Sequence, residues 1–324
     1  MNSSEKRDLI MPGDKAYTDI NWSPDSKYIS YLVNGGEMVE IRDVETNKVT
    51  VTITSSGTSY KRGASPLVWI NNNEFSYILD GKLYIGNFSN PQSKLIASDV
   101  KNEVFRFEGP VSVDPPSWSF DHRYVVYKNS NSLVIRDSLS QKKIEVGKMI
   151  KNEAFEEFGD SLNVSKIGWT RDNKYFYTEN AYTKYDTNKS LKSVNLPDFK
   201  ISSYDIPIDN GKSFSVSPDG KYIANYNQSY MFGRTKFYRT DNQTLVCPNL
   251  IIGNPVEPND TLWPINLPSI LIVKKATSKL EEEAGKMVVV DIDECKVLTE
   301  ISTIDSINTD SYPFLYAVFS PSNI

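Results

Sequence analysis

The chain has 324 residues, of which 39% are hydrophobic and 24% are charged, so it can bury a sizeable core and is not disordered as a whole. Its net charge of −5 at pH 7 provides no general attraction for phosphate backbones, which argues against a nucleic-acid-binding protein. No apolar run approaches the ~20 residues needed to cross a bilayer, and 19 Tyr and 14 Phe beside many Asn, Ser and Thr favour strands and turns.

One short pattern recurs along the chain and divides it into repeats. Each copy begins with an aromatic or apolar anchor residue, continues through a polar turn that usually contains Asp, and ends in an apolar-aromatic strand. The seven anchors are Trp22, Trp69, Trp118, Trp169, Val216, Trp263 and Phe319. They recur about every 49 residues, a period in the range that marks repeat architectures.

The first repeat shows the predicted elements in chain order. The anchor Trp22 is followed by the turn Ser23-Pro24-Asp25 and then by predicted strands at 28–33, 38–43 and 49–53, with a tight turn at Thr46-Asn47. Together with the strand that ends in the anchor, each repeat holds four antiparallel strands. Four short strands every ~40–50 residues are typical of a β-propeller blade, in which stacked sheets cover each other's faces.

The most visible residues of the repeat are interpreted as scaffold. We expect the anchors to fill the space between blades, together with the aromatic residues that follow them at a fixed distance, which are Tyr28, Phe75, Tyr124, Tyr175 and Tyr222. We expect the acidic residues of the turns to bond to their own backbone rather than to act as catalytic acids. These are Asp25, Asp121, Asp172 and Asp219.

The two ends of the chain are expected to meet in the last blade. The seventh anchor lies beside the C-terminus, so that blade lacks most of its strands, and residues 7–13 resemble the outer strand that precedes each anchor. The sequence therefore predicts one all-β domain over residues 1–324. It is a seven-bladed β-propeller of four-stranded antiparallel blades, and its incomplete last blade is closed by both termini. The alternative is a six-bladed, TolB-like propeller with one redundant terminal strand.

A well-formed copy of the repeat carries a resemblance to a known family. It runs Val216-Ser217-Pro218-Asp219-Gly220-Lys221-Tyr222-Ile223-Ala224. This WD-repeat-like pattern is similar to that of TolB-like propellers and of the propeller domains of prolyl oligopeptidase-type and tricorn-type peptidases. The resemblance covers nearly the whole chain and implies the fold but no particular function.

The resemblance to TolB-like propellers also implies a position in the cell. It implies that two further strands lie ahead of Met1, after an export signal. We therefore expect an extracytoplasmic protein, in the periplasm or at the cell surface, with the cytoplasm as the alternative. The α/β domain that precedes the propeller in TolB has no counterpart in this sequence, so the envelope role of TolB does not transfer.

Residue types that perform catalysis are sparse. The single histidine, His122, occupies a turn position that other copies fill with Ser26, Asn73, Asn173 and Gly220, so we interpret it as a turn residue. One histidine excludes a multi-histidine metal site, and the sequence has no nucleophile elbow, phosphate-binding loop or dinucleotide motif. We therefore expect no enzyme, no metal and no cofactor. Carboxylate groups that could support an enzyme instead are Glu156 with Glu157, Asp291 with Asp293, and Glu281 to Glu283.

The sequence contains two cysteines, Cys247 and Cys295. They are too few for a disulfide framework and lack metal-ligand spacing. We expect two free thiols, with a bridge between them as the alternative.

The candidate binding site lies in the loops between strands. Loops that enter the first strand of a blade and loops that join its second and third strands are expected to share one face, around the mouth of the channel. In this chain they are long and rich in Tyr, Phe and Arg, which are enriched at interface cores. The candidate partner-binding residues are Tyr60, Arg62, Phe105, Arg106, Phe107, Phe155, Phe158, Tyr182, Tyr185, Tyr230, Phe232 and Arg234. Apolar residues at helical spacing in 149–162 predict a small helix that caps this face, and residues 278–285 predict a short helical insertion.

The predicted function is that of a non-catalytic binding or scaffold protein. We expect it to engage a protein or peptide through the aromatic loop face and to be a monomer. The alternative is a carboxylate-dependent enzyme that acts on a saccharide or peptide in the central channel. Two carboxylates about 5–10 Å apart in a pocket favour the enzyme, whereas an aromatic rim without clustered titratable groups favours the binding protein.

Overall fold

The computed structural model describes residues 17–34, 36–56, 64–100, 115–147, 149–150, 161–182, 187–206, 212–227, 235–250, 261–263, 269–274 and 286–302. These residues form β-strands, bends and turns, and no α-helix occurs among them. In the same ranges no helix is long and apolar enough to cross a membrane.

Most of the described strands belong to six four-stranded sheets, numbered 1 to 6 along the chain, in which neighbours in sequence are neighbours in the sheet. Sheet 1 is formed by β1 (Tyr17–Trp22), β2 (Tyr28–Val33), β3 (Met38–Asp43) and β4 (Val49–Thr54). Sheet 2 is formed by β5 (Val68–Trp69), β6 (Glu74–Leu79), β7 (Lys82–Asn87) and β8 (Lys94–Ala97). Sheet 3 is formed by β9 (Ser117–Trp118), β10 (Tyr124–Lys128), β11 (Leu133–Asp137) and β12 (Lys143–Val146).

The second half of the chain repeats this arrangement after a two-stranded sheet of β13 (Met149–Ile150) and β14 (Ser161–Leu162). Sheet 4 is formed by β15 (Val164–Trp169), β16 (Lys174–Tyr182), β17 (Thr187–Asn195) and β18 (Lys200–Tyr204). Sheet 5 is formed by β19 (Lys212–Val216), β20 (Tyr222–Asn227), β21 (Lys236–Arg239) and β22 (Leu245–Val246). Sheet 6 is formed by β23 (Thr261–Leu262), β24 (Ile270–Lys274), β25 (Lys286–Asp291) and β26 (Lys296–Ser302).

The burial of the strands changes from the inside of a sheet to its outer edge. In β2, five consecutive residues from Ile29 to Val33 are buried, so both faces of this strand are covered. In β4, the fourth strand, only Val51 and Ile53 are buried and their neighbours are exposed. A strand covered on both faces reads as a continuous apolar run, whereas a half-covered strand alternates.

The chain divides into two compact units. Unit 1 contains sheets 1 and 2 and the segment Val125–Lys143, and unit 2 contains Trp118–Tyr124 and the sheets after Ile144. In unit 1, the Tyr28 ring of sheet 1 stacks on the Trp69 ring of sheet 2 with a centroid distance of 6.4 Å. In unit 2, Tyr124 stacks on Trp169 of sheet 4 at the same distance. The anchors Trp69 and Trp169 and the aromatic residues Tyr28 and Tyr124 therefore pack between consecutive sheets, as the repeat predicts.

The strand predictions for the first repeat are confirmed. The predicted strands at 28–33 and 38–43 match β2 and β3, and the predicted strand at 49–53 extends by one residue to Thr54. The anchors Trp22, Trp69, Trp118, Trp169 and Val216 each end the first strand of a sheet, and Trp263 directly follows β23. The seventh anchor Phe319 and the N-terminal segment 7–13 lie outside the described residues.

The predicted helix at 149–162 is wrong at both of its ends. Met149 pairs with Leu162 and Ile150 pairs with Ser161 as the two short antiparallel strands β13 and β14. Apolar residues at helical spacing were a misleading signal, because cross-strand pairing of the two ends satisfies their backbone groups instead. Residues 151–160 and the predicted helical insertion at 278–285 lie outside the described residues.

The expectation of two free thiols is also wrong. Cys247 and Cys295 form a disulfide, with their Cα atoms 5.1 Å apart. Their separation of 48 residues is close to one repeat, so consecutive sheets bring the two positions together. The rules that recognise a disulfide framework from the spacing of its cysteines do not consider a separation of one repeat, so they did not predict this bridge.

Candidate functional site

Each sheet has two ends, which differ in the kind of connection they carry. At the end that we call the turn end, the first strand turns into the second and the third into the fourth. At the opposite end, the loop end, the second strand leads to the third and the chain enters the first strand. By sequence, the candidate binding residues belong to connections of the loop end, and the Asp residues of the repeat belong to the turn end.

The turn after the first strand is held by a buried hydroxyl group. In sheet 1, Ser23 Oγ donates to Asp25 Oδ1 at 2.8 Å and accepts from the N–H of Tyr28 at 2.9 Å. Asp25 Oδ1 also accepts from the N–H of Lys27 at 3.2 Å. Ser23 is fully buried. Through its two hydrogen bonds the hydroxyl group links the carboxylate to the start of the second strand.

The hydroxyl-to-carboxylate hydrogen bond recurs in three further sheets. The equivalent pairs are Ser119 with Asp121, Thr170 with Asp172, and Ser217 with Asp219. The hydroxyl-to-carboxylate distance is 2.6 Å in sheet 3 and 2.7 Å in sheet 5. The Asp residues therefore act as turn formers, as predicted, while the buried Ser or Thr two positions earlier is a partner that sequence reasoning missed.

Sheet 2 uses a different turn. Asn71 Oδ1 accepts from the N–H groups of Asn73 and Glu74, both at 2.8 Å. An amide oxygen thus takes the place of the carboxylate, and no Ser or Thr precedes it in the sequence at the equivalent position.

The residue after each Asp has a left-handed backbone. Its φ is 59° at Ser26, 54° at His122, 58° at Asn173 and 70° at Gly220. His122 therefore lies in the predicted turn position, at the turn end of sheet 3. Burial lowers the pKa of His122 below its ordinary value of 6.5, although the charge of Asp121 opposes this.

Two of the turn carboxylates, Asp121 and Asp172, have a pKa below the ordinary value. Burial by itself raises the pKa of Asp121, but hydrogen bonds from Ser119, from the N–H of Arg123 and from Asn173 outweigh it and lower the pKa below its ordinary value of 3.8. Burial likewise raises the pKa of Asp172, and its bonds to Lys174 and Thr170 lower it. A carboxylate stabilised as an anion in this way is a poor general acid.

The carboxylate candidates for catalysis that are described, Asp291 and Asp293, take part in hydrogen bonds of the fold. Asp291 Oδ1 accepts from the N–H groups of Asp293 and Glu294, at 2.9 Å and 3.1 Å, and so forms the turn between β25 and β26. Asp293 accepts a hydrogen bond from the hydroxyl group of Tyr222. Glu156, Glu157 and Glu281 to Glu283 lie outside the described residues, and among the residues that are described no group of three metal-ligating side chains comes together.

Unit 1 buries one charged cluster that the sequence analysis did not identify. The Tyr31 hydroxyl group donates to Glu40 Oε2 at 2.9 Å and accepts from Arg42 Nε at 3.0 Å. Arg42 also donates to the carbonyl oxygen of Asn47 at 2.6 Å. Burial raises the pKa of Tyr31 to about 12, with Arg42 opposing and Glu40 adding to the shift. Because each charged group has a partner, we interpret this cluster as structural.

The candidate binding residues fall on connections at the loop end, but the structure describes little of them. Only Tyr182, the last residue of β16, is described, and only as part of that strand. The remaining candidates lie outside the described residues, namely Tyr60, Arg62, Phe105, Arg106, Phe107, Phe155, Phe158, Tyr185, Tyr230, Phe232 and Arg234. The binding site therefore stays a prediction.

In unit 1 the loop end carries short connections. Residues 34–37, 80–81 and 129–132 join the second strand to the third in sheets 1, 2 and 3. In sheet 2, Asp80 accepts from the hydroxyl groups of Ser55 and Ser56, at 2.6 Å and 2.7 Å, and so fixes this turn against the end of sheet 1.

In unit 2 the loop end carries longer connections and one longer hairpin. Residues 228–235 and 275–285 join the second strand to the third in sheets 5 and 6. In sheet 4, β16 and β17 are nine residues long, whereas β2 and β3 have six. β15 pairs with β16 only as far as Glu179, and β18 pairs with β17 only as far as Leu191. The tip of this hairpin therefore extends beyond its two neighbours and carries Tyr182 at its end.

Comparison with known proteins identifies the fold. No protein-family model and no curated protein matches the chain. Among solved structures, the chain is similar to dihydro-heme d1 dehydrogenase NirN in complex with DHE, with 14% identity and a TM-score of 0.52 over 90% of this chain and 57% of that one. It is also similar to Kluyveromyces lactis Hsv2 (12%, TM-score 0.50, 86% of this chain and 75% of that one) and to the tricorn protease (12%, TM-score 0.50, 90% and 32%).

These similarities, together with the six four-stranded antiparallel sheets, show that the fold is a β-propeller. The described sheets account for six blades, and both six and seven blades fit them. The chain spans less than two thirds of NirN and about a third of the tricorn protease. Since these neighbours include enzymes and the identities are low, the similarity assigns no activity.

Proposed function

We propose that the protein is a non-catalytic binding propeller that engages a protein or peptide through its loop end. The observation that carries this proposal is the hairpin β16–β17, which extends beyond its neighbours in sheet 4 and ends in Tyr182. Aromatic residues on projecting segments of a rigid scaffold are a common way to bind a partner. The other candidate residues belong, by sequence, to connections at this same end of their sheets.

The chemistry of the turn end supports the non-catalytic part of the proposal. His122 lies in a turn whose backbone conformation recurs with Ser26 and Gly220, so nothing in its position requires an imidazole. The turn Asp residues are bonded to hydroxyl and N–H groups of their own turns, and Asp121 is also bonded to Asn173 of sheet 4. We interpret these groups as parts of the scaffold.

The disulfide supports an extracytoplasmic position for the protein. Disulfides form and persist in oxidising compartments and are rare in the cytosol. A bridge between Cys247 and Cys295 is therefore best explained by folding in the periplasm or at the cell surface.

A peptide selection tests the binding function. The immobilised protein is panned against a displayed library of random peptides, and the affinity of selected peptides is measured for the wild type and for a Tyr182→Ala, Tyr185→Ala double variant. We expect the double variant to bind at least ~10-fold more weakly, as for loss of interface aromatic residues.

The matched control is Leu139→Ala, which removes a side chain that is 71% exposed at the turn end of sheet 3. It should leave the affinity unchanged. If no peptide is selected, or if the peptides bind the double variant as tightly as the wild type, the loop end is not the binding surface. Turnover of peptide or glycoside substrates that disappears in Asp291→Asn would support the carboxylate enzyme instead.

A further inference from the structure

The disulfide joins two consecutive sheets of unit 2. Cys247 directly follows β22, the fourth strand of sheet 5, and Cys295 lies in the turn between β25 and β26 of sheet 6. Both cysteines have a left-handed backbone, with φ values of 50° and 52°.

A non-covalent version of this link occurs one sheet earlier. Gln243 occupies the same turn position in sheet 5, since Thr240 and Ile292 make equivalent backbone bonds to Lys221 and Ser269, both at 2.9 Å. The side-chain oxygen of Gln243 accepts from the N–H of Asp205, just after the fourth strand of sheet 4. The disulfide therefore covalently reinforces a contact between sheets that the fold already makes.

The two halves of the disulfide have different surroundings. Cys247 is 7% exposed and belongs to an apolar cluster with Phe237, Leu271 and Val288. Cys295 is exposed, between the charged residues on either side of it in the turn. Cys247 Sγ lies 3.1 Å from the carbonyl oxygen of Ile292.

We propose that the Cys247–Cys295 disulfide between sheets 5 and 6 can be attacked by thiols only at Cys295. Cys247 is then the buried leaving group, so the bond resists reduction while the two sheets stay packed. This inference does not depend on the proposed binding function.

The exchange reaction explains the resistance. A thiolate R–S⁻ that attacks Cys295 Sγ forms an R–S–S–Cys295 bond, breaks the bond to Cys247 and leaves the electron pair on Cys247 Sγ. An apolar environment disfavours this thiolate. The Ile292 oxygen stabilises only the protonated thiol, because a carbonyl oxygen can accept a hydrogen bond but cannot donate one to a thiolate.

The reverse step, in which the protein disulfide forms again, is favoured because the two cysteine sulfur atoms remain close together. The expelled Cys247 sulfur stays beside the mixed disulfide, so it can take back Cys295 and release R–S⁻ as an intramolecular reaction. Net reduction by a dithiol requires its second thiolate to attack the mixed disulfide first, which releases Cys295 as a thiolate and closes the dithiol into its own disulfide. Local separation of the two sheets slows the return and allows this step.

The wild-type protein provides the first test. It is treated with dithiothreitol in native buffer or in denaturing guanidinium chloride, quenched with N-ethylmaleimide and analysed by mass spectrometry. We expect native reduction to be slower by roughly 100-fold or more, because it needs local opening. With glutathione as the attacking thiol, the trapped adduct should be on the peptide that contains Cys295. Similar rates in the two buffers, or an adduct on Cys247, would overturn the proposal.

Two single variants provide a matched comparison. In Cys247→Ser the remaining Cys295 should react with iodoacetamide at the rate of an exposed thiol. In Cys295→Ser the remaining Cys247 should react at least ~10-fold more slowly, since burial in apolar surroundings suppresses the thiolate. Equal rates in two variants with native near-ultraviolet circular dichroism contradict the proposal. If either variant fails to fold, the wild-type adduct decides.

Discussion

The turn end and the loop end of the sheets are joined by the same strands but differ in how their structure is specified. At the turn end, a Ser or Thr donates to the Asp two positions later in sheets 1, 3, 4 and 5, and the residue after that Asp has a left-handed backbone. At the loop end, the connections from the second strand to the third range from residues 80–81 to residues 275–285. The repeated sequence therefore specifies the scaffold. The segments that differ from one repeat to the next are the connections of the loop end.

The comparison is sharpest along a single strand, β16. Tyr177 is 1% exposed inside the sheet, whereas Tyr182 ends the strand beyond its neighbours. We expect Tyr177→Ala to lower the free energy of unfolding by about 4 kcal/mol, as for other large-to-small core changes. Tyr182→Ala should lower it by less than about 0.5 kcal/mol. Urea unfolding followed by fluorescence measures both, and a large loss for Tyr182→Ala would show that the hairpin tip belongs to the core.

The buried hydroxyl of the turn end is expected to have the next largest effect. Ser217→Ala removes a fully buried group that bonds to Asp219 and accepts from the N–H of Tyr222. The unpaired N–H should cost about 2 kcal/mol of unfolding free energy. Ser217→Thr, which copies sheet 4, should retain most of the stability. If both variants are equally unstable in chemical denaturation, the hydroxyl group is not what holds the turn.

Acid should weaken the turn end in a defined range of pH. Because the folded pKa of Asp121 lies below its ordinary value of 3.8, its ionised form stabilises the fold above that pH, and this stabilisation disappears as the pH falls through the folded pKa. Asp121→Asn should therefore be less stable than the wild type at pH 6, and the difference should shrink below about pH 4. Thermal unfolding over this range is the measurement, and a difference independent of pH would contradict the assignment.

The smallest expected effect is a gain of stability. His122 has a φ of 54° in a position where Gly220 has 70° in sheet 5. His122→Gly should raise the unfolding free energy by about 0.5 kcal/mol, because glycine adopts this conformation without strain. Asn73→Gly, in a turn of sheet 2 without positive φ, should not stabilise. Loss of peptide binding in His122→Gly would give the histidine a role that its turn does not explain.

The fold could be predicted because one strand pattern recurs along the sequence with a regular period. Each of the six copies supports the interpretation of the others. The first repeat shows this best, since its predicted strands agree with β2, β3 and β4 to within one residue. The role of Ser23 was not predictable in this way, because its hydroxyl matters only once the register of the hairpin is known. The disulfide was missed because Cys247 and Cys295 are neighbours only between consecutive sheets, although their separation of 48 residues was an available signal. Apolar spacing in 149–162 failed because a short segment can satisfy helical periodicity and still pair as strands.

The hydrogen bonds within each turn have a consequence for how such a gene can change. Since Ser23, Asp25 and Tyr28 bond among themselves, a duplicated or deleted copy carries these bonds with it. Copy number can thus vary through unequal recombination without loss of local foldability. The disulfide ties two particular copies together covalently, and a recombination event between Cys247 and Cys295 would separate the partners.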